Sequence, residues 1–190
     1  MKHDLASLKI LLATAPAQAV KAQLTRIVPF IDLAAHTPPD WLYTSGKPNR
    51  YNPAGVNCVY FGETIEVARA EYEGVWKGLV GKDQPVTIYY ANVVLQRVLD
   101  VTSDATLEAL EVDDKDLFKN WRRATRPALT QLLGQAVNET GLFSAIRYPS
   151  SAAANRGQAG INFVIFGRCI RSPDSVRILG PTRRPLQEWP

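Results

Sequence analysis

Residues 56–80 read V-N-C-V-Y-F-G-E-T-I-E-V-A-R-A-E-Y-E-G-V-W-K-G-L-V, and the hydrophobic period changes part-way along. Val56–Phe61 has the β-branched and aromatic make-up of a short strand. From Thr64 onward, Ile65, Ala68, Tyr72, Val75, Trp76 and Leu79 fall at helical spacing, which predicts a helix to about Val80. Its acidic residues are not equivalent. Glu63 sits just before the helix, where the dipole favours it. Glu66 and Glu73 find Arg69 and Lys77 at pairing distance on a solvated face. Glu71 instead has Val67, Ala68, Gly74 and Val75 around it and borders the apolar stripe with no local counter-charge. A half-buried carboxylate is costly unless a cation or a substrate meets it. Glu71 is therefore read as an active-site acid, the alternative being a rim carboxylate tied to a distant arginine.

Outward from this stretch, Leu5 to about Ala15 reads as a helix and Ala17–Gln23 as a further turn. Leu24–Val28 is a short strand ending at Pro29. Ala35–Ala54, with His36, consecutive prolines and Ser45-Gly46-Lys47-Pro48, is a loop long enough to carry function. Val86–Tyr90 and Asn92–Val94 read as a buried strand, with Arg97–Val101 as another. One or two short helices follow in the acidic stretch. Pro127 opens a helix through about Glu139, closed by Gly141. Then come a strand at Ala145–Tyr148, a small-residue loop over Pro149–Gly160, and strands at Asn162–Phe166 and Ser175–Leu179. Strands and helices mix without a βαβ rhythm, which predicts an α+β fold.

At 190 residues and 46% hydrophobic content, the chain can bury one core and is expected to form a single domain. It has no apolar run near the length of a membrane span. With Asp4 near its start it makes a poor secretory signal, so a cytoplasmic location is expected. Cys58 and Cys169 stand far apart, without ligand-like spacing, and read as reduced core residues. His3 and His36 are the only histidines, too few for Ser-His-Asp hydrolysis or a two-histidine zinc site. Neither a P-loop nor a G-x-G-x-x-G is present. Chemistry must come from carboxylate, arginine, tyrosine and serine. The net charge of +4 hides an asymmetry: Asp100–Lys119 carries seven acids against two lysines, and Arg122–Pro190 ten arginines against three acids. Those arginines are spread over several elements rather than along one basic helix, so direct nucleic-acid binding is not expected.

Around Glu71 stands a coherent set. Arg50 closes the Gly/Pro loop, Tyr60 ends the next strand ten residues on, and Glu71 lies eleven beyond Tyr60. Far downstream, Y-P-S-S places Ser150 at a strand end, and Asn162 starts the next strand. Arg26 sits mid-strand between Thr25 and Ile27, either snorkelling or meeting an anion inside the fold.

This pattern, a strand arginine, R-x(9)-Y-x(10)-E, Y-x-S and a G-x-N apolar strand, resembles the RES domain. The resemblance covers roughly Leu24 to Leu179, leaving residues 1–23 as an N-terminal helical extension and 24–190 as the domain. The family is named for an Arg, a Glu and a Ser, which here correspond to Arg26 or Arg50, Glu71 and Ser150. It implies an ADP-ribosyltransferase-like fold of the diphtheria-toxin type, a split mixed sheet with flanking helices around an NAD+ cleft. It further implies the toxin of a bacterial type II toxin–antitoxin pair. Such a toxin cleaves the nicotinamide–ribose bond of NAD+ as a phosphorylase or glycohydrolase, depletes the cell of NAD+ and arrests growth. An Xre-like helical antitoxin is the implied partner, covering the cleft. No cofactor is implied; NAD+ is substrate and inorganic phosphate a possible co-substrate.

The residue types suit that chemistry. Arginine can hold two pyrophosphate oxygens at once, as expected of Arg26 and Arg50. An aromatic face such as Tyr60 can stack on cationic nicotinamide. Breaking the glycosidic bond develops positive charge on the ribose, which a carboxylate such as Glu71 stabilises. Ser150 and Asn162 are expected to bind the substrate through polar side chains. Arg156 in the small-residue loop is the candidate for a second, phosphate site. Two other readings stand beside this one. A mono-ADP-ribosyltransferase acting on a protein would use the same cleft, although many such enzymes have an acid where this chain has Arg69. A non-catalytic nucleic-acid or protein-binding domain would use the basic C-terminal half.

Overall fold

The computed structural model describes residues 3–30, 44, 46–76, 85–124, 126–180 and 182–190. The chain begins with helix α1 (Leu5–Leu12), opened by a reciprocal cap in which the Ser7 amide donates to Asp4 and the Asp4 amide to Ser7 Oγ. There follow β1 (Gln18–Pro29), β2 (Val59–Gly62), α2 (Ile65–Trp76), β3 (Val86–Asp100), α3 (Asp104–Ala109) and α4 (Asp114–Leu117). A single 3₁₀ turn, Trp121–Arg123, precedes α5 (Leu129–Thr140). The chain ends with β4 (Ala145–Pro149), α6 (Ser151–Ala154), β5 (Ile161–Ile165), β6 (Ser175–Leu179) and β7 (Pro185–Trp189). The expected continuation of α2 to Val80, with Lys77 and Leu79, lies outside the described residues, as do His36 and most of the Ala35–Lys47 loop.

The strands form one sheet in the order β1-β2-β5-β4-β3-β6-β7, and β1 also pairs with β3, so the first five close into a ring. Every pairing is antiparallel except β3 with β4. The result is a mixed α+β domain, as the irregular order of elements predicts. One edge of β3 is zipped to β1 from Pro29↔Val86 to Gln18↔Val98. Its other edge pairs first with β6 and then, from Val98 to Asp100, with β4.

The long β1–β3 ribbon corrects two expectations. Ala17–Gln23 is not a helical turn, because Gln18 onward is strand. Alanine, glutamine and lysine favour helix in isolation, but Val20, Ala22 and Leu24 alternate with exposed Lys21 and Gln23, and pairing with β3 decides the outcome. A division between residues 1–23 and 24–190 therefore cuts through a strand. Nor do residues 86–94 and 97–101 form separate strands: β3 runs unbroken through Leu95 and Gln96 to Asp100, and Asn92 faces out to meet Gln23 at 3.0 Å.

Two cores result. Leu24, Val93, Leu95, Phe163, Ile165 and Ile178 meet inside the ring. On the opposite face of β4 and β5, Ile146, Val164 and Phe166 pack against Leu8 and Leu12 of α1 and Leu133 and Val137 of α5. The alternation of Phe163/Ile165 with Val164/Phe166 along β5 is the period-two signature of a strand buried on both faces. Among the described residues no helix is long and apolar enough to cross a membrane.

Candidate active site

β1 and β2 touch at one register position, Thr25↔Gly62, and then part. The Tyr60 carbonyl is taken by Arg26, whose Nη1 donates to it at 2.9 Å. A cleft of about 650 Å³ opens at this point, walled by β1, β2, α2, the 47–50 loop, the 121–122 turn and α6. Arg26, Lys47, Arg50, Arg122 and Arg156 line it, and Glu71 is the only carboxylate among its described lining residues. The cleft is therefore built for an anion, with one negative group at a defined place.

Glu71 comes from the middle of α2 and is half-buried. Its Oε1 accepts from Ser150 Oγ at 2.7 Å and from Asn162 Nδ2 at 2.6 Å. Neither donor is there by accident of rotamer. Ser150 caps α6, its Oγ accepting from the Ala153 amide at 3.0 Å, and its own amide donates to the Gly160 carbonyl. Asn162 is locked in β5 between Gly62 of β2 and Tyr148 of β4. Two fixed donors on one oxygen hold the carboxylate in place, and no described donor reaches Oε2. Ser150 is 1% exposed and is not among the residues that line the cleft; its hydroxyl meets Glu71 and the Ala153 amide.

Arg50 bridges two walls. Nη1 donates to the Leu117 carbonyl at 2.9 Å, and Nη2 to Ser151 Oγ at 2.8 Å. These two bonds fix the guanidinium in the cleft wall, which it lines. The loop beneath is fixed by Tyr60, whose hydroxyl donates to Asn52 Oδ1 and accepts from the Tyr51 amide, each at 2.9 Å. Asn52 in turn donates to the Lys47 and Val56 carbonyls. Burial keeps the Tyr60 hydroxyl protonated well beyond its ordinary range, with Cys58 and Tyr148 pushing the same way. The phenol thus anchors the Arg50 loop, and Tyr60 is among the residues that line the cleft.

The RES-domain family model matches residues 23–186. The chain belongs to the RES-domain family. No curated protein matches it. Among solved structures it is similar to a chain of the M. tuberculosis MbcT–MbcA toxin–antitoxin complex, at 15% identity and a TM-score of 0.61. That alignment covers 98% of this chain and 93% of the other, so the overall fold is shared along nearly its whole length.

In this RES domain, both arginines left open by the sequence, Arg26 and Arg50, line the same cleft as Glu71, Tyr60 and Asn162. Arg156 also lines it, but its Nη2 pairs with Glu73 Oε2 at 2.8 Å. Glu73, expected to be balanced on its own helix, thus has a partner on another element, while Lys77 lies outside the described residues. Sequence reading missed several cleft residues, Lys47 and Arg122 among them. Ser151, next to the serine singled out, is the one that meets Arg50. Tyr148 packs its ring on Tyr51 at 4.4 Å, and burial, then the Glu71 carboxylate, raises its pKa well above the ordinary range. Both lie within the Y-P-S-S motif, which was a usable signal. Trp121 carried none, since a lone aromatic between an acidic and a basic run has no pattern.

Proposed function

We propose that this protein is the toxin of a type II toxin–antitoxin pair and that it cleaves the nicotinamide–ribose bond of NAD+. The observation that carries this reading is the pinned Glu71 carboxylate in a cleft whose other described charged lining groups are all cationic. NAD+ has that charge pattern in reverse. Its pyrophosphate seeks arginine, and its reacting ribose becomes positive as the bond breaks.

In the proposed reaction the C1′–N bond breaks and its electron pair leaves with nicotinamide, which becomes neutral. Glu71 faces the oxocarbenium-like ribose, where a fixed carboxylate in a partly dry site stabilises developing charge without reorganising. An oxygen of water or of inorganic phosphate then bonds to C1′ and gives up its proton to solvent. Arg50 and Arg26 hold the pyrophosphate, and the Tyr60 ring borders the nicotinamide. Ser150 and Asn162 act through Glu71. If phosphate is the acceptor, Arg156 is its candidate ligand, and Glu73 must then yield its place.

The ring of strands split around the cleft fits an ADP-ribosyltransferase-like scaffold. The similarity to a toxin-complex chain supports a cytoplasmic role with a protein partner, proposed to be an Xre-like helical antitoxin that covers the cleft. Modification of a protein target is the less favoured reading, because exposed Arg69 stands where such enzymes carry a second acid. A binding-only domain is less favoured still, since Arg97, Arg147, Arg156 and Arg177 of this chain are engaged with carboxylates.

The test is NAD+ loss by the purified protein with and without inorganic phosphate, read by mass spectrometry. ADP-ribose-1-phosphate would assign phosphorolysis and ADP-ribose hydrolysis. Intact NAD+ in both reactions would refute the proposal.

A further inference from the structure

The cleft has lining residues that the proposed reaction does not use. Trp121 and Arg122 line it, and the Arg122 guanidinium carbon lies 4.6 Å from the centroid of the Trp121 indole. The pair is held in place: Asn120 Oδ1 accepts from the Arg122 amide at 3.1 Å, and the Ala124 amide donates to the Trp121 carbonyl at 3.3 Å. A half-buried indole backed by a flat cation is a stacking platform. Every nucleobase has a π-face to offer it.

A chain of contacts links the groups that line the cleft. Glu71 is held by Ser150, Ser151 accepts from Arg50, and Arg50 donates to Leu117, four residues before Trp121. Followed along this chain of contacts, the chemistries run carboxylate, arginine fork, aromatic platform. A dinucleotide presents reacting ribose, pyrophosphate and second base in the same order. We infer that Trp121 and Arg122 form the recognition wall for the adenine end of the dinucleotide, and so determine specificity for NAD+ over smaller pyridine nucleotides. This inference rests on the reading of the cleft as an NAD+ site and adds the contact that distinguishes NAD+ from its nicotinamide half. Arg122 stiffens the indole from one side and supplies positive charge near the adenylate phosphate.

The test compares wild type with Trp121→Ala and Trp121→Phe in steady-state NAD+ cleavage, with AMP and nicotinamide mononucleotide as competitors. Base–aromatic stacking predicts that Trp121→Ala raises KM for NAD+ and weakens inhibition by AMP by roughly ten- to a hundredfold. kcat and inhibition by nicotinamide mononucleotide should stay near the wild-type values, and Trp121→Phe should restore most of the loss. An unchanged KM would overturn the inference. Equal weakening of both competitors would also overturn it, because that pattern marks a general collapse of the cleft. Wild-type protein inactive on NAD+ yet binding AMP through Trp121 would refute the proposed reaction while leaving the base-binding wall standing. Inactivity with no AMP binding would refute both.

Discussion

At Glu71, two neutral donors converge on one carboxylate oxygen from two different elements, a helix cap and a strand. Removing one should misplace the acid without emptying the cleft. Ser150→Ala is expected to lower kcat roughly ten- to a hundredfold, since a hydrogen bond to a charged group is worth about 1.5–3 kcal/mol. KM for NAD+ should hold. A rise in KM with kcat intact would mean that Ser150 meets the substrate after all. The family serine could be picked from Y-P-S-S, but its task could not, because only the fold shows that Ser150 faces α2 and Ser151 faces Arg50. The buried ionisable groups beside the site make a second prediction. Burial lifts Cys58 from its ordinary 9.0 to about 12, and lifts Tyr51, Tyr60 and Tyr148 above their ordinary 10.0. Each unfolded form ionises first, so the stability they contribute is complete below about pH 9 and is lost as pH climbs through the raised values. Melting temperature should fall steadily above about pH 9, less steeply in Cys58→Ala. A flat profile to pH 11 would contradict the burial of these groups.

The loop that carries Arg50 is held by α5 as much as by β2. Gln131 Nε2 donates to the Asn49 carbonyl at 3.0 Å. At Gly134 a Cβ would stand 1.6 Å from the Tyr51 carbonyl oxygen. Glycine inside a helix costs about 1 kcal/mol relative to alanine, and here the close approach of the loop requires it. Gly134→Ala should therefore destabilise the protein by about 3 kcal/mol or more in chemical denaturation and lose activity, because Arg50 adjoins Tyr51. A stable, active variant would mean that the loop is not docked on this helix. Tyr60→Phe tests the same attachment from the other side. It leaves buried Asn52 and the Tyr51 amide short of a partner, at a cost of about 1–3 kcal/mol. Elements with a clear period, such as α5 and β6, were legible in the sequence. β1 was read only from Leu24 because its first half uses helix-forming residues and owes its strand state to β3. β7 escaped because Pro185, Gln187 and Glu188 leave too little alternation, and it exists through pairing with β6.

Across the molecule, the ring of five strands parts at Thr25 and Gly62, and the reaction machinery gathers at that gap from segments spread over the chain. The C-terminal half is basic in composition, with its arginines spread over several elements. In the fold, Arg147 meets Asp100, Arg156 meets Glu73 and Arg177 meets Glu188, so these charges are balanced within the chain. Binding to duplex DNA should accordingly be weak and should vanish as salt rises, and tight salt-resistant binding would contradict this account. The most direct test lies in Glu71 itself. Nicotinamide release from NAD+ should be measured for wild type and Glu71→Gln, with matched melting curves, since the amide keeps the shape and an oxygen for Ser150 and Asn162. The account predicts release by wild type and a loss of at least about a hundredfold in a fully folded Glu71→Gln protein. Wild-type rates in that variant would contradict it.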